Sequence, residues 1–282
     1  MIRTIKTSFN ILKNNLIIIQ PLLIFMIIFG ILAQPLSLSG GNIMQMAING
    51  ILLYLIVTTF ISGWFYMIKL VVRDRNKEYN TPEEVGIAQI ELLKSFFVGV
   101  GEYIVPMILN VFLYVLLFAA FSFLVYKVGV HFIGHIDMPK EMVKALSGTE
   151  KDVYNFLLSP AFTADLKNQL KEWVIFLLCS NFVLAAITMF MGAIAFFKTQ
   201  NPLKILVENV KFIFRNFIET IIITTLLLSL NLTVFVINIT TSTNVILSVI
   251  SIFVTIMYLS YYVIIAFLYY DEKNENNIDY RA

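Results

Sequence analysis

Six stretches of this 282-residue chain are almost wholly apolar and roughly 20 residues long or longer: Leu16–Leu36, Met46–Val72, Gly101–Tyr126, Trp173–Phe197, Phe217–Ile239 and Val245–Tyr270. None carries Asp, Glu, Lys, Arg or His in its central part. A helix rises about 1.5 Å per residue, so each is long enough to cross the ~30 Å hydrocarbon layer of a bilayer. Inside that layer the backbone must satisfy its own hydrogen bonds, which a helix does. The sequence therefore predicts an all-α, polytopic membrane bundle of six transmembrane helices.

Composition agrees. Hydrophobic residues make up 59% and charged residues 13%, against about 25% charged in soluble domains. A water-soluble globule and a disordered chain are both excluded. A net charge of +2 without basic clusters gives no footprint for nucleic acid. The single Cys179 excludes a disulfide framework and a thiolate metal site, and is expected to be a small buried hydrophobe. The first apolar run follows Arg3, Lys6 and Lys13 as in a signal peptide. It is longer than such a segment's core, however, and reads as a retained first helix.

Orientation follows from lysine and arginine near the spans. They gather before the first span, in the second connection (Lys69, Arg73, Arg75, Lys77, Lys94) and in the fourth (Lys198, Lys204, Lys211, Arg215). The first and fifth connections hold no charge. The alternation predicts cytoplasmic N- and C-termini in the plasma membrane of a prokaryote.

Each basic segment leads into an odd-numbered span, and the three lead-ins look alike. Ile5–Asn15, Ile90–Val100 and Val207–Phe217 align without gaps, with Ile5, Ile90 and Val207 coinciding and Pro21 falling with Pro106. Apolar residues recur every three or four positions (Ile5, Phe9, Leu12; Ile90, Leu93, Phe97; Val207, Val210, Phe214). That is the pattern of amphipathic helices lying in the membrane interface. The expected organisation is a threefold internal repeat, each unit an interfacial cytoplasmic helix plus two spans (about 1–72, 83–197 and 201–270). The even spans end alike too, with small residues beside aromatics: Ser62–Tyr66, Met191–Phe197 and Ala266–Tyr270. The aromatics suit the headgroup belt, and pairs such as Thr59 with Gly63 allow close helix approach. Residues 128–172 form an expected extracytoplasmic helical loop, and 271–282 a disordered cytoplasmic tail.

Three of these features together resemble prokaryotic six-helix membrane families of unknown function: Leu12-Lys13-Asn14-Asn15 before the first span, Ser62–Tyr66 with Arg73 beyond it, and the terminal Tyr269-Tyr270-Asp271-Glu272. These families include the YciC-like proteins and the membrane domain fused to some glycerophosphoryl diester phosphodiesterases. The resemblance covers most of residues 1–272 and implies an integral plasma-membrane protein without an established activity. The phosphodiesterase barrel has no counterpart here.

Candidate functional positions are polar. Glu102 and Glu219 align at the starts of the third and fifth spans, either as a symmetric pair for a basic group or lipid amine, or as acids favoured by the helix dipole. Asn110, Asn181 and Asn231 lie within spans, with Gln20, Thr188, Thr224, Thr225 and Ser229, as interhelical glue or the lining of a polar path. Pro21 and Pro106 are expected to kink their helices. His131 and His135, near Asp137, have the spacing of a helical zinc pair, but Gly129 and Gly134 argue against a helix there. In the outer loop Pro139–Leu146 predicts a short helix and Thr149–Asp152 the capped start of another, with Met142, Val143, Leu146, Tyr154, Phe156 and Leu157 resting on the membrane or capping the bundle. No P-loop, His-Glu-x-x-His or Gly-x-Ser-x-Gly sequence is present, so neither an enzyme nor a cofactor is expected. Two function classes remain. One is a permease or permease subunit for an apolar or lipid-like substrate, driven by a separate ATPase subunit. The other is a non-transporting scaffold that organises lipids or membrane complexes, including a self-protection (immunity) role. Membrane lipids are the expected partners in both.

Overall fold

The computed structural model describes residues 2–38, 43–77, 81–136, 139–146, 152, 155–156, 158–160, 162–241 and 245–278. Its elements are α1 (Ile2–Asn14), a 3₁₀ turn (Leu16–Ile18), α2 (Ile19–Leu38), α3 (Ile43–Arg73), α4 (Pro82–Phe132), α5 (Lys140–Leu146), α6 (Ala164–Thr188), α7 (Met191–Phe197), α8 (Pro202–Arg215), α9 (Phe217–Thr241) and α10 (Val245–Ile278). No strand occurs among the described residues. Five helical segments are long and apolar enough to cross a membrane. The pair formed by α1 and Leu16–Ile31, bent by 80°, makes a sixth if it counts as one span. The chain divides into two compact units, Met1–Tyr114 with Ala186–Ala282, and Val115–Ala185.

In the first unit α10 is the hub, packing on α1, α2, α3, α7 and α9. The ends of α3, α7 and α10 meet one another through three phenylalanines. Ring centroids of Phe65 and Phe196 are 5.9 Å apart, of Phe65 and Phe267 5.4 Å, and of Phe196 and Phe267 6.1 Å. Such edge and tilted contacts suit the ring quadrupole and add to the area buried. Tyr269 and Tyr270 extend this layer onto Phe212 of α8. Around the triangle, each lead-in helix rests on the end of a different even span. α1 packs on α10 and α8 on α7. The start of α4 meets α3 where Gly63 backs onto the Phe96 ring and Gly99 onto Tyr66 and the Ser62 carbonyl.

The lead-ins turn a mixed polar and apolar side to the protein. Thr4, Ser8, Ile11 and Leu12 of α1, Ser95 of α4, and Ile205, Asn209 and Phe212 of α8 are buried. The apolar Phe9, Ile90, Phe97, Val207, Val210 and Phe214 point away from the bundle, Phe97 and Phe214 each 74% exposed.

In the second unit Gly129 lies flat against the Trp173 indole, whose Nε1 donates to the Gly134 carbonyl at 3.2 Å. Met142, Phe156 and Leu166 form a small core with Ile136, Phe162 and Leu170 packed on it. The short helix expected from Pro139 is present as α5. Asp137, Ser147–Glu150, Tyr154 and Leu157 lie outside the described residues.

Several sequence expectations are corrected. The second lead-in is no separate helix, because α4 runs unbroken from Pro82 to Phe132. The helix breaks align Asn15 with Asn216, one residue before the gapless match of Asn15 with Phe217. Pro21 sits in the first turn of α2, where a missing N–H costs nothing, rather than inside a helix. Gly129 does not stop α4, which holds His131 and ends before Gly134 (φ +94°). Cys179 is exposed rather than buried. The disorder expected from Asp271 gives way to helix through Ile278, because three side chains there find distant partners. Thr4 Oγ1 donates to Glu272 at 2.7 Å, Arg75 to Asp271 at 2.5 Å and Lys273 to Glu219 at 2.8 Å.

Candidate functional site

Where α1 leaves its partner helix, its polar third side faces the end of α3 and the first turns of α4. α3 ends at Arg73, and the chain turns through Asp74–Asn76 before α4 begins. Between these three segments lies a cleft of about 790 Å³, within the range of small-ligand sites. α1 contributes Thr7, Asn10 and Asn14 to it, the α3 end Asp74, Arg75 and Lys77, and α4 Gln89 and Glu91. Ile11, Leu70, Val71, Val85, Ala88 and Leu92 add apolar surface, and Asn15 a further amide. Arg75 is held by the Val72 carbonyl at 3.0 Å as well as by Asp271. The lining thus mixes both charges, amides, a hydroxyl and aliphatic surface, which suits an amphipathic ligand better than a purely apolar or purely anionic one.

A second polar group is built on a buried lysine, one of the basic residues that the sequence counts in the second connection. Lys69 lies inside α3, only 9% exposed. Its Nζ donates to the Tyr103 hydroxyl at 2.7 Å and stands over the Tyr66 and Tyr103 rings at 5.5 and 5.2 Å. Tyr103 in turn stacks on Phe196 at 4.3 Å. The aromatic faces attract the ammonium and replace part of its lost hydration.

The five positions singled out in the sequence do not converge. Glu219 receives the Tyr269 hydroxyl at 2.5 Å and the Lys273 ammonium at 2.8 Å. Glu102 is exposed, next to Tyr103. Asn110 is buried and donates to the Pro106 carbonyl at 2.9 Å and the Gln200 carbonyl at 3.4 Å, its own Oδ1 having no partner. Asn181 and Asn231 are exposed. The amide that does knit two spans is Asn238, absent from the sequence-based set. It accepts from Ser251 at 2.5 Å and donates to Thr255 at 3.1 Å, tying α9 to α10. His131 and His135 are exposed, and no group of three metal-ligating side chains occurs among the described residues.

Comparisons with protein-family models, curated proteins and solved structures found no match to this chain. The reading of function therefore rests on the chain's own chemistry.

At the edge of this layer Glu208 of α8 binds Lys198 at 2.5 Å and Lys211 at 3.5 Å. The Lys198 hydrogen bond, reinforced by both ammonium charges, holds its carboxyl below the ordinary carboxylate range, against a smaller upward push from burial. This pair ties α8 to the end of α7.

Proposed function

We propose that this chain is a lipid-binding, multi-pass protein of a prokaryotic plasma membrane that organises lipid or membrane complexes at its cytoplasmic rim. The observation that carries this reading is the outward turn of the lead-in helices. Phe9, Phe97, Val207, Val210 and Phe214 face away from the bundle, as apolar residues do when a helix lies half-sunk among headgroups. That placement sets the polar cleft at headgroup depth. The alignment of the lead-ins, and their seating around Phe65, Phe196 and Phe267, support a threefold internal repeat as part of the same proposal. Kinship with the six-helix families that the chain resembles belongs to it as well.

A second reading is a permease subunit for a lipid-like substrate, with a separate ATPase subunit. It is favoured by α8, whose exposed Lys204, Lys211 and Arg215 offer a basic face beside the apolar one for such a subunit. The test is an affinity pull-down from native membranes in mild detergent, with lipid and protein mass spectrometry. Recovery of defined lipids without a nucleotide-binding subunit is the expected result. Stoichiometric recovery of such a subunit overturns the scaffold in favour of the permease. Orientation is checked in a Cys179→Ala background. A cysteine replacing His135 should label only from outside the cell and one replacing Thr199 only from inside; the reverse pattern inverts the topology.

A further inference from the structure

We infer that the cleft between α1, the end of α3 and the start of α4 is a headgroup site for a glycerophospholipid carrying a phosphate and a primary ammonium. The inference rests on the lipid-binding reading above and names its ligand class. The lining makes three selections. First, Asp74 and Glu91 stand in the same cleft as Arg75 and Lys77, and Arg75 is already bonded to Asp271. Among the described lining residues the four formal charges cancel, and with Arg75 committed to Asp271 the balance tips negative, so a ligand bearing only negative charge gains nothing from one pair without meeting the other. A ligand with both signs satisfies both.

Second, an ammonium with three N–H donors needs acceptors, and the two carboxylates with the amide oxygens of Asn10, Asn14 and Gln89 provide them. A quaternary ammonium has no N–H to donate and is recognised by aromatic cages. Among the described residues the cleft has no aromatic side chain in its lining. Third, the phosphate finds donors in Lys77, the amide nitrogens and the Thr7 hydroxyl. Ile11, Leu70, Val71 and Leu92 then lie beside the glycerol and first methylenes of the acyl chains. The same phosphate-and-ammonium chemistry belongs to the water-soluble glycerophosphoethanolamine. The site's depth in the interface favours the lipid.

Full-length protein in detergent is titrated with phosphatidylethanolamine, phosphatidylglycerol, phosphatidylcholine and glycerophosphoethanolamine, and retention is read by native mass spectrometry. The expected result is one phosphatidylethanolamine per chain, retained at least about tenfold better than either other lipid, the discrimination of one well-placed charged hydrogen bond. The double variant Asp74→Asn, Glu91→Gln keeps side-chain size at two exposed positions and should lose that preference, with phosphatidylglycerol bound at least as well. An unchanged melting temperature separates this from misfolding, and Asp74→Asn alone should give an intermediate preference should the double variant fail to fold. Equal retention of the three lipids, or an undiminished preference in the variant, overturns the inference and leaves the lipid-binding reading standing. Tighter binding of glycerophosphoethanolamine than of the lipid overturns it in favour of a soluble ligand. Retention of no lipid at all removes both.

Discussion

Two of the three lead-ins break before the membrane span, and the third does not. At Asn15 (φ −128°, ψ 51°) and Asn216 (φ −117°, ψ 34°) the chain leaves helical geometry. In both cases the asparagine Nδ2 donates back to the carbonyl four residues earlier, Ile11 or Phe212, at 3.0 Å. The backbone N–H of each also reaches carbonyls three and four residues back. One short amide thus adds a second donor to a carbonyl that the backbone already holds, fastening the side chain to the last helical turn where the chain bends. The matching stretch of α4 is Gly99-Val100-Gly101, which has no side-chain donor. The contrast teaches that amphipathic spacing makes a helix but does not decide whether it bends at the membrane surface. That depends on a residue whose side chain can fold back onto the last helical turn.

The strongest way to break the comparison lies in α4. A Cβ on Gly99 would collide with Tyr66 and sit 2.9 Å from the Ser62 carbonyl, whereas one on Gly101 meets nothing within 4 Å. Gly99→Ala is expected to cost about 1–3 kcal/mol through overpacking of the α3–α4 crossing. Gly101→Ala, two residues on, is expected to gain about 0.5–1 kcal/mol from helix propensity. Thermal unfolding of both in the same detergent checks the opposite signs, and equal shifts would show that the close approach is absent.

Next comes the amide itself. Asn15→Leu or Asn216→Leu should cost roughly 1 kcal/mol, the usual net value of one hydrogen bond, since the backbone N–H still serves the Ile11 or Phe212 carbonyl. For the first break, spin labels replacing Lys6 and Ile27 should move apart as the 80° bend opens. An unchanged distance would assign the bend to packing alone.

The smallest effect concerns what holds α8 down after its break. Glu208 has a depressed pKa, so its pairing with Lys198 and Lys211 contributes fully above the unfolded glutamate value of about 4.3. The contribution fades as pH falls through the lower folded value. The charges are partly exposed, and screening limits the effect to a few tenths of a kcal/mol. Wild type should exceed Glu208→Gln by that margin at pH 7, and the gap should close towards pH 3. A constant gap would mean that the carboxyl is not the titrating group.

The spans were legible because length and apolarity are local properties. Leu16–Leu36 or Val245–Tyr270 can be recognised without knowing any neighbour. Partners were not legible, and the misreadings follow from that. Lys69 looks like a loop charge until Tyr66 and Tyr103, the second 34 residues further along the chain, close over it. Asp271, Glu272 and Lys273 look like a solvated tail because their partners Arg75, Thr4 and Glu219 lie far away in the chain. The Phe9 and Phe214 faces were recognised as apolar stripes, but spacing alone cannot say whether a stripe faces protein or lipid. The cleft draws Asn10, Asp74 and Gln89 from three segments, each unremarkable in sequence.

The contact between Thr4 and Glu272 spans 268 residues, and α1 rests on the helix that ends the described chain. At a ribosome's pace of about 5–20 residues per second, the first helix emerges roughly 13–54 s before its partner. During that interval Ser8 and Ile11 have no cover, and the ring of Phe65, Phe196 and Phe267 lacks its third member. Assembly of this core thus waits for α10, and a nascent chain cut short before it has no half-finished version of the same core to settle into. In biosynthetic terms, α10 is the segment whose arrival closes the core.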